Sequence, residues 1–330
     1  MWLRLQPSCI PGTKIVSIAY ITHPSFMLHE MGAHHPEQPA RLGAINDRLL
    51  SSGLNMALHH YDAPRAEREH LLRVHDAAYI DRVFGASPRE GLTWLDGDTA
   101  MNPYTLEAAL HASGAAVQAV DLVMAGDAQR AFCAVRPPGH HAERARAMGF
   151  CFFNNVAVGA AHALAAHGLE RVLIADFDVH HGNGTEDIFG GDERVLFCST
   201  FQHPFYPHSG CDTRAPNVVN VPLPAQTDAG AFREAVSTYW LPAIDAFEPQ
   251  LVMISAGFDA HVEDDMANLR LHERDYAWIT RKLCERADRY AEGRIVSSLE
   301  GGYALGALGR SVAVHIKEFL EDRRDGMTCP

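Results

Sequence analysis

No uninterrupted apolar stretch in this 330-residue chain approaches the ~18 residues that a bilayer-crossing helix needs. Its opening residues, Met1-Trp-Leu-Arg-Leu-Gln-Pro7, lack the apolar core of a secretory signal. Both absences lead to the expectation of a cytoplasmic protein without a membrane partner. There is also no C-x-x-C pair. The seven cysteines, at 9, 133, 151, 198, 211, 284 and 329, are scattered and read as reduced structural thiols. Basic residues are in deficit, 28 Lys plus Arg against 41 Asp plus Glu, for a net charge of −13. That balance opposes binding to a phosphate backbone, so no nucleic-acid partner is expected, and it mildly favours cationic ligands. Linkers, internal repeats and low-complexity tracts are missing too, which predicts one domain over residues 1–330.

What the chain does have is alternation. Apolar, β-branched runs at 15–21, 131–135, 172–177, 195–200, 251–256 and 295–299 predict strands. Between them, helical patterns cover 39–50, 103–125, 156–167, 229–247, 273–290 and 305–320. Such a pattern predicts an α/β fold, doubly wound around a mainly parallel sheet. Ligands then bind at the carboxyl ends of the strands. Four motifs lie there: Arg136-Pro-Pro-Gly-His-His141, Asp176-Phe-Asp-Val-His-His-Gly-Asn-Gly184, Gly257-Phe-Asp-Ala260 and Glu300-Gly-Gly-Tyr303.

Asp178 and His180 stand two apart, so on an extended backbone they point the same way. With Asp259 from another strand end they form a three-ligand set that leaves positions for water and substrate, as in a catalytic zinc-type site. His140 and His141 are adjacent and would diverge, which suits acid/base roles better than shared metal ligation. Asp176 and Asn183 are the candidate acceptors that orient them, and a carboxylate-paired imidazole protonates more readily than an amide-paired one. Tyr303 follows two glycines and is a candidate oxyanion donor. His181 is expected to point away from the metal and pack.

Together R-P-P-G-H-H-A, G-F-C-F-F-N-N, D-F-D-V-H-H-G-N-G-T, A-G-F-D-A and E-G-G-Y, preceded by His35-Pro-Glu-Gln-Pro-Ala-Arg-Leu42, resemble the histone deacetylases and acetylpolyamine amidohydrolases of the arginase/deacetylase fold. The Glu before the glycine pair and Asn183 resemble the class II branch and its bacterial members. The resemblance implies a sheet of about eight strands flanked by helices. It implies one Zn²⁺ held by Asp178, His180 and Asp259, with His140, His141 and Tyr303 catalytic. It implies a channel formed by Phe150, Tyr206, Gly149 and Met266, with Asp98 as a rim carboxylate. Tyr206 is assigned with a register that can slip by one. Arg41 would line an internal cavity through which acetate leaves. Structural K⁺ is implied at an inner site of Asp176, Ser199 and Thr200, and at an outer site of Phe189, Asp192 and Val195.

The implied reaction is deacetylation of an acetylated amine substrate, an acetyl-lysine peptide or an acetylpolyamine. Met266 stands where one polyamine-specialist branch carries a Glu, which favours acetyl-lysine; Glu263, Asp264 and Asp265 lie close enough to serve a distant ammonium. A binuclear ureohydrolase is disfavoured by Gly182 and Asn183, where it needs further metal ligands. A non-catalytic, zinc-retaining binding module is disfavoured by His140, His141 and Tyr303. A homo-oligomer stays open.

Overall fold

A computed structural model describes residues 16–321; Ile15, Cys9 and Cys329 lie outside them. Eight parallel strands form the main sheet: β1 (Ile18–Thr22), β2 (Leu58–Asp62), β5 (Arg130–Cys133), β6 (Val172–Asp176), β7 (Val195–Gln202), β8 (Val218–Leu223), β9 (Leu251–Ala256) and β10 (Ile295–Leu299). A separate small hairpin pairs β3 (Thr93–Trp94) with β4 (Ala100–Met101). The main sheet runs in the order β2-β1-β5-β10-β9-β6-β7-β8, and every adjacent pair is parallel. Helices cover it, as parallel connections require.

The four central strands, β5, β10, β9 and β6, are those followed by the four motifs. Their fully buried sequences, such as LVMISA in β9, are the continuous apolar runs of strands covered on both faces. Parallel alignment then brings all four loops to one edge. The two edge strands read differently. Only Leu58 of β2 is buried, and β8 carries Pro222, a residue that a sheet tolerates at its edge. Neither was visible as an apolar run.

Helices at Glu273–Tyr290 and Leu305–Leu320 have the predicted bounds, and Ala40–Ser51, Thr105–Ala125 and Asn155–Ala166 fall within two residues of theirs. The predicted 229–247 helix instead contains a π-helical turn, Val236–Trp240, between two α-helical segments. Thr105–Ala125 corrects the membrane reading: with mean hydropathy 1.3 over 18 residues it is long and apolar enough to span a bilayer. Two thirds of that window is buried in the fold (67%), which marks a core helix. Cys133, Cys151 and Cys198 are buried thiols and Cys211 is exposed, none in a disulfide.

Candidate active site

Beyond β6 the chain bends, and Asp178 and His180 converge as expected, with Nδ1 of His180 3.1 Å from Oδ1 of Asp178. Asp259, from the loop after the neighbouring β9, brings Oδ2 to 3.3 Å from the same nitrogen. The three side chains are buried, and one ligand atom from each lies within 4.8 Å of the others. Asp259 Oδ2 accepts no well-formed hydrogen bond. Burial and the facing Asp178 push the Asp259 carboxyl up to about 6. Burial opposes charge on His180, yet Asp178 and Asp259 raise it to about 9. Two crowded carboxylates, an imidazole and an unsatisfied oxygen are a donor set that fits one divalent cation.

Glycines make room for these carboxylates. A Cβ on Gly257 would sit 2.1 Å from Asp178 Oδ2, and one on Gly301 2.1 Å from Asp259 Oδ2. Gly182 is needed for the same reason. Its φ of −75° is ordinary, but a Cβ there would lie 2.3 Å from Asp176 Oδ2. Gly182 therefore supplies space and not an unusual backbone turn.

His140 and His141 follow β5, their rings 4.0 Å apart. Nδ1 of His140 meets Asp176 Oδ2 at 2.9 Å, and Nδ1 of His141 meets Asn183 Oδ1 at 2.7 Å. Burial lowers both imidazoles. For His140 the negative charges of Asp176 and Asp178 prevail and raise it to about 10. For His141 burial is joined by the adjacent His140 and His180, and it falls well below the usual range. Glu143, absent from the sequence-based site, settles the amide's orientation. Asn183 Nδ2 donates to its Oε1 at 2.8 Å, so Oδ1 must face His141. His141 therefore carries its proton on Nδ1 and leaves Nε2 bare.

Glu300, which entered the sequence reading only as a motif letter, is fully buried. Its Oε2 accepts the N–H groups of Gly139 and His140 at 2.7 and 3.2 Å, fixing the tandem histidines to the end of β10. Burial pushes it up to about 7.

A cavity of about 230 Å³ opens onto this cluster, lined by Gly149, Phe150, Phe205, Tyr206, Met266, Asp98 and Tyr303 as well as His140, His141 and His180. The register question at Phe205 and Tyr206 dissolves, because both line the wall. Tyr206 stands edge-on to His141 (5.3 Å) and Phe205 stacks on His180 (5.7 Å). Phe150, at φ 69°, stands edge-on to Tyr303. Asp98 sits between β3 and β4, where its Oδ1 accepts the Thr99 hydroxyl, while Thr99 Oγ1 accepts the Phe150 N–H.

Tyr303 is held from two sides. Asp264 Oδ2 accepts its backbone N–H at 2.6 Å and that of Ala304 at 2.9 Å. The Arg41 guanidinium lies 4.9 Å from its ring centre. Arg41 is fully buried, and its donors go to Gly302 O, Glu300 O and Glu37, so it braces the loop that carries Tyr303. Glu37 in turn pairs with Arg136 and approaches His29 Nε2 at 3.3 Å. His181 does not simply pack: it bonds Ser209 Oγ at 2.8 Å and Glu186 Oε2 at 2.9 Å.

Of the expected monovalent sites, the inner one fits its residues. Asp176 lies in register with Ser199 across β6 and β7, and Ser199 Oγ is buried without a partner, beside a buried Thr200. The residues of the outer site, Phe189, Asp192 and Val195, come together around a side chain of the protein itself, that of Asn217.

A parallel α/β sheet whose central strand ends gather a carboxylate–imidazole cradle, two histidines and a tyrosine defines a class of hydrolase-like metal-site folds. Comparison narrows it: the Histone deacetylase domain profile matches residues 35–319, and the chain belongs to that family. It is 40% identical over 280 residues to the histone deacetylase-like amidohydrolase of Pseudomonas aeruginosa, covering 82% of this chain and 73% of that protein. It is 36% identical over 311 residues to the human polyamine deacetylase HDAC10, covering 89% of this chain and 46% of that protein. The chain spans as little as 20% of another curated relative, the type-2 histone deacetylase 1 of Dictyostelium discoideum. Among solved structures, the HDA15 HD domain superposes with a TM-score of 0.86 at 34% identity, covering 92% of this chain and 90% of that one.

Proposed function

We propose that this protein hydrolyses the amide of an N-acetylated linear amine, best an acetyl-lysine side chain, with one zinc ion held by Asp178, His180 and Asp259. The observation that carries this reading is the pair of adjacent histidines bound to unlike partners, Asp176 and Asn183, at the closed end of an aromatic-walled channel. When bound, the ion supplies Lewis-acid polarisation of the amide carbonyl and lowers the pKa of water.

The protein's own groups do the rest. His141 takes a proton from water at its bare Nε2 as the water oxygen adds to the carbonyl carbon. His140, cationic beside Asp176, stabilises the negative charge that develops. The Tyr303 phenol, which burial holds protonated by raising its pKa well above 10, donates to the carbonyl oxygen as it becomes an oxyanion. His141 then passes its proton to the departing nitrogen, the C–N bond breaks, and acetate and a free amine leave.

Acetyl-lysine is favoured over acetylpolyamine by the channel mouth. Met266 is apolar, Glu263 is paired with Arg310, and the Asp264 carboxylate accepts the N–H groups of Met266, Tyr303 and Ala304. Two of the three acids expected to serve a distant ammonium are thus engaged elsewhere. The test is kcat/KM for an acetyl-lysine peptide against N-acetylputrescine and N-acetylspermidine, with and without a chelator. Chelator-sensitive acetate release with the peptide ahead is expected. A tenfold advantage for the polyamines overturns the substrate reading, and metal binding without acetate release overturns catalysis.

A further inference from the structure

Three backbone carbonyls, those of Phe189, Asp192 and Val195, converge on a single nitrogen, Nδ2 of Asn217, at 2.8, 3.1 and 2.8 Å. The other end of that carboxamide is fixed too: Oδ1 accepts the Gly191 N–H at 2.8 Å. Only the amide nitrogen can donate, so this second bond determines which end faces the carbonyls. The side chain is buried at 7% exposure, and its own backbone oxygen accepts the Phe197 N–H, tying it to β7.

These carbonyls belong to the three residues for which the family resemblance implied an outer monovalent cation. The fit is poor. The position an ion would need, within reach of all three oxygens, is the position of the amide hydrogens. The one carboxylate of the set, on Asp192, is turned away and forms a two-pronged pair with Arg194 at 2.9 and 2.7 Å. The inner site offers the contrast: there Ser199 Oγ is buried without a partner.

We propose that the Asn217 carboxamide is a built-in replacement for the outer cation, so that this chain closes the Phe189–Val195 loop without K⁺ at that place. Two amide hydrogens shared among three carbonyls satisfy buried acceptors while adding no net charge to a dry environment. A covalently attached donor also makes closure independent of ion concentration. The loop ends the short Asn183–Phe189 helix, whose first residue orients His141. The position of that helix is thereby freed from the surrounding salt.

The test uses the full chain and its Asn217→Ala variant. Melting temperature is followed against KCl at constant ionic strength, balanced with tetramethylammonium, and thallium(I) is located by anomalous scattering in crystals of both proteins. Wild type is expected to show the amide in place and no thallium between the three carbonyls. The variant is expected to gain thallium there, with a KCl-dependent rise in melting temperature about 3 °C larger than that of wild type. Because any inner site is common to both proteins, the difference isolates the outer one. Thallium on the three carbonyls of wild type with the amide swung out, or an equal KCl response in the two proteins, overturns the proposal. If the variant does not fold, the wild-type thallium map decides alone.

Discussion

Glu143 Oε1 accepts the hydrogen bond of Asn183 Nδ2 at 2.8 Å, and through that contact it dictates the tautomer of His141, whose Nδ1 meets the other end of the same amide. Removing the carboxylate in Glu143→Leu lets the amide turn over and present its nitrogen to His141. A drop in kcat of about tenfold with KM little changed is expected, because the channel is untouched. Steady-state kinetics on an acetyl-lysine peptide checks this, and a rise in KM alone would show that Glu143 acts on substrate binding.

Tyr303→Phe keeps the ring that packs edge-on against Phe150 and removes only the hydroxyl. Loss of one oxyanion donor costs ~10²–10³ in rate. The Asp264 staple to the Tyr303 backbone remains in this variant, so melting temperature is expected to hold. Turnover close to wild type would remove Tyr303 from the mechanism.

Asp176→Asn tests the division of labour between the histidines. Asp176 Oδ2 meets His140 Nδ1 at 2.9 Å and is the first of the charges that favour its protonated form, so its loss lowers the pH at which His140 gives up its proton. Activity that needs cationic His140 is lost as pH rises through that pKa. The alkaline limb of kcat/KM is therefore expected to move to lower pH, by roughly 1–3 units. An unmoved alkaline limb would mean that the charge of His140 is not used.

Gly301→Ala places a methyl group where the Asp259 carboxylate now lies, 2.1 Å from its Oδ2 and 2.6 Å from Asp178 Oδ2. Both carboxylates must shift, and they are two of the three proposed zinc ligands. Elemental analysis is expected to show less than one zinc per chain, in protein that still melts cooperatively. Full zinc occupancy would place the metal elsewhere.

How far the site could be read from the sequence depended on how each residue acts. Asp178, His180, Asp259, His140, His141 and Tyr303 stand directly after apolar runs, and a parallel sheet sends all such loops to one edge. Glu143, Glu300, Asp264 and Asn217 work through backbone groups or side chains up to 161 positions away, as in the bond from Gly139 N–H to Glu300. No local period or spacing marks such partners. The strands divide likewise: six central or near-central ones are buried on both faces, whereas β2 and β8 at the edges are half-solvated and look like loops. Gly182 shows a third kind of gap, since its need for space comes from the carboxylate of Asp176, the last residue of β6.

Glu37, buried between Arg136 and Arg41, gives the acid response of the fold a defined origin. Burial alone would raise its carboxyl, but Arg136, followed by His29 and Arg41, holds it well below the usual carboxylate range. A carboxylate whose folded pKa is depressed contributes stability that is present above its unfolded pKa, ~4.3, and is lost as pH falls towards the folded value. Glu37→Gln removes that contribution and leaves two buried guanidinium groups without their anion, a change of about 3–5 kcal/mol near neutral pH. Urea melts from pH 7 down to pH 3 are expected to show a large gap between wild type and variant above pH ~5 that narrows as the solution becomes more acidic. A gap that stays constant across this range would mean that the Glu37 carboxylate gains nothing from its arginines in the folded protein.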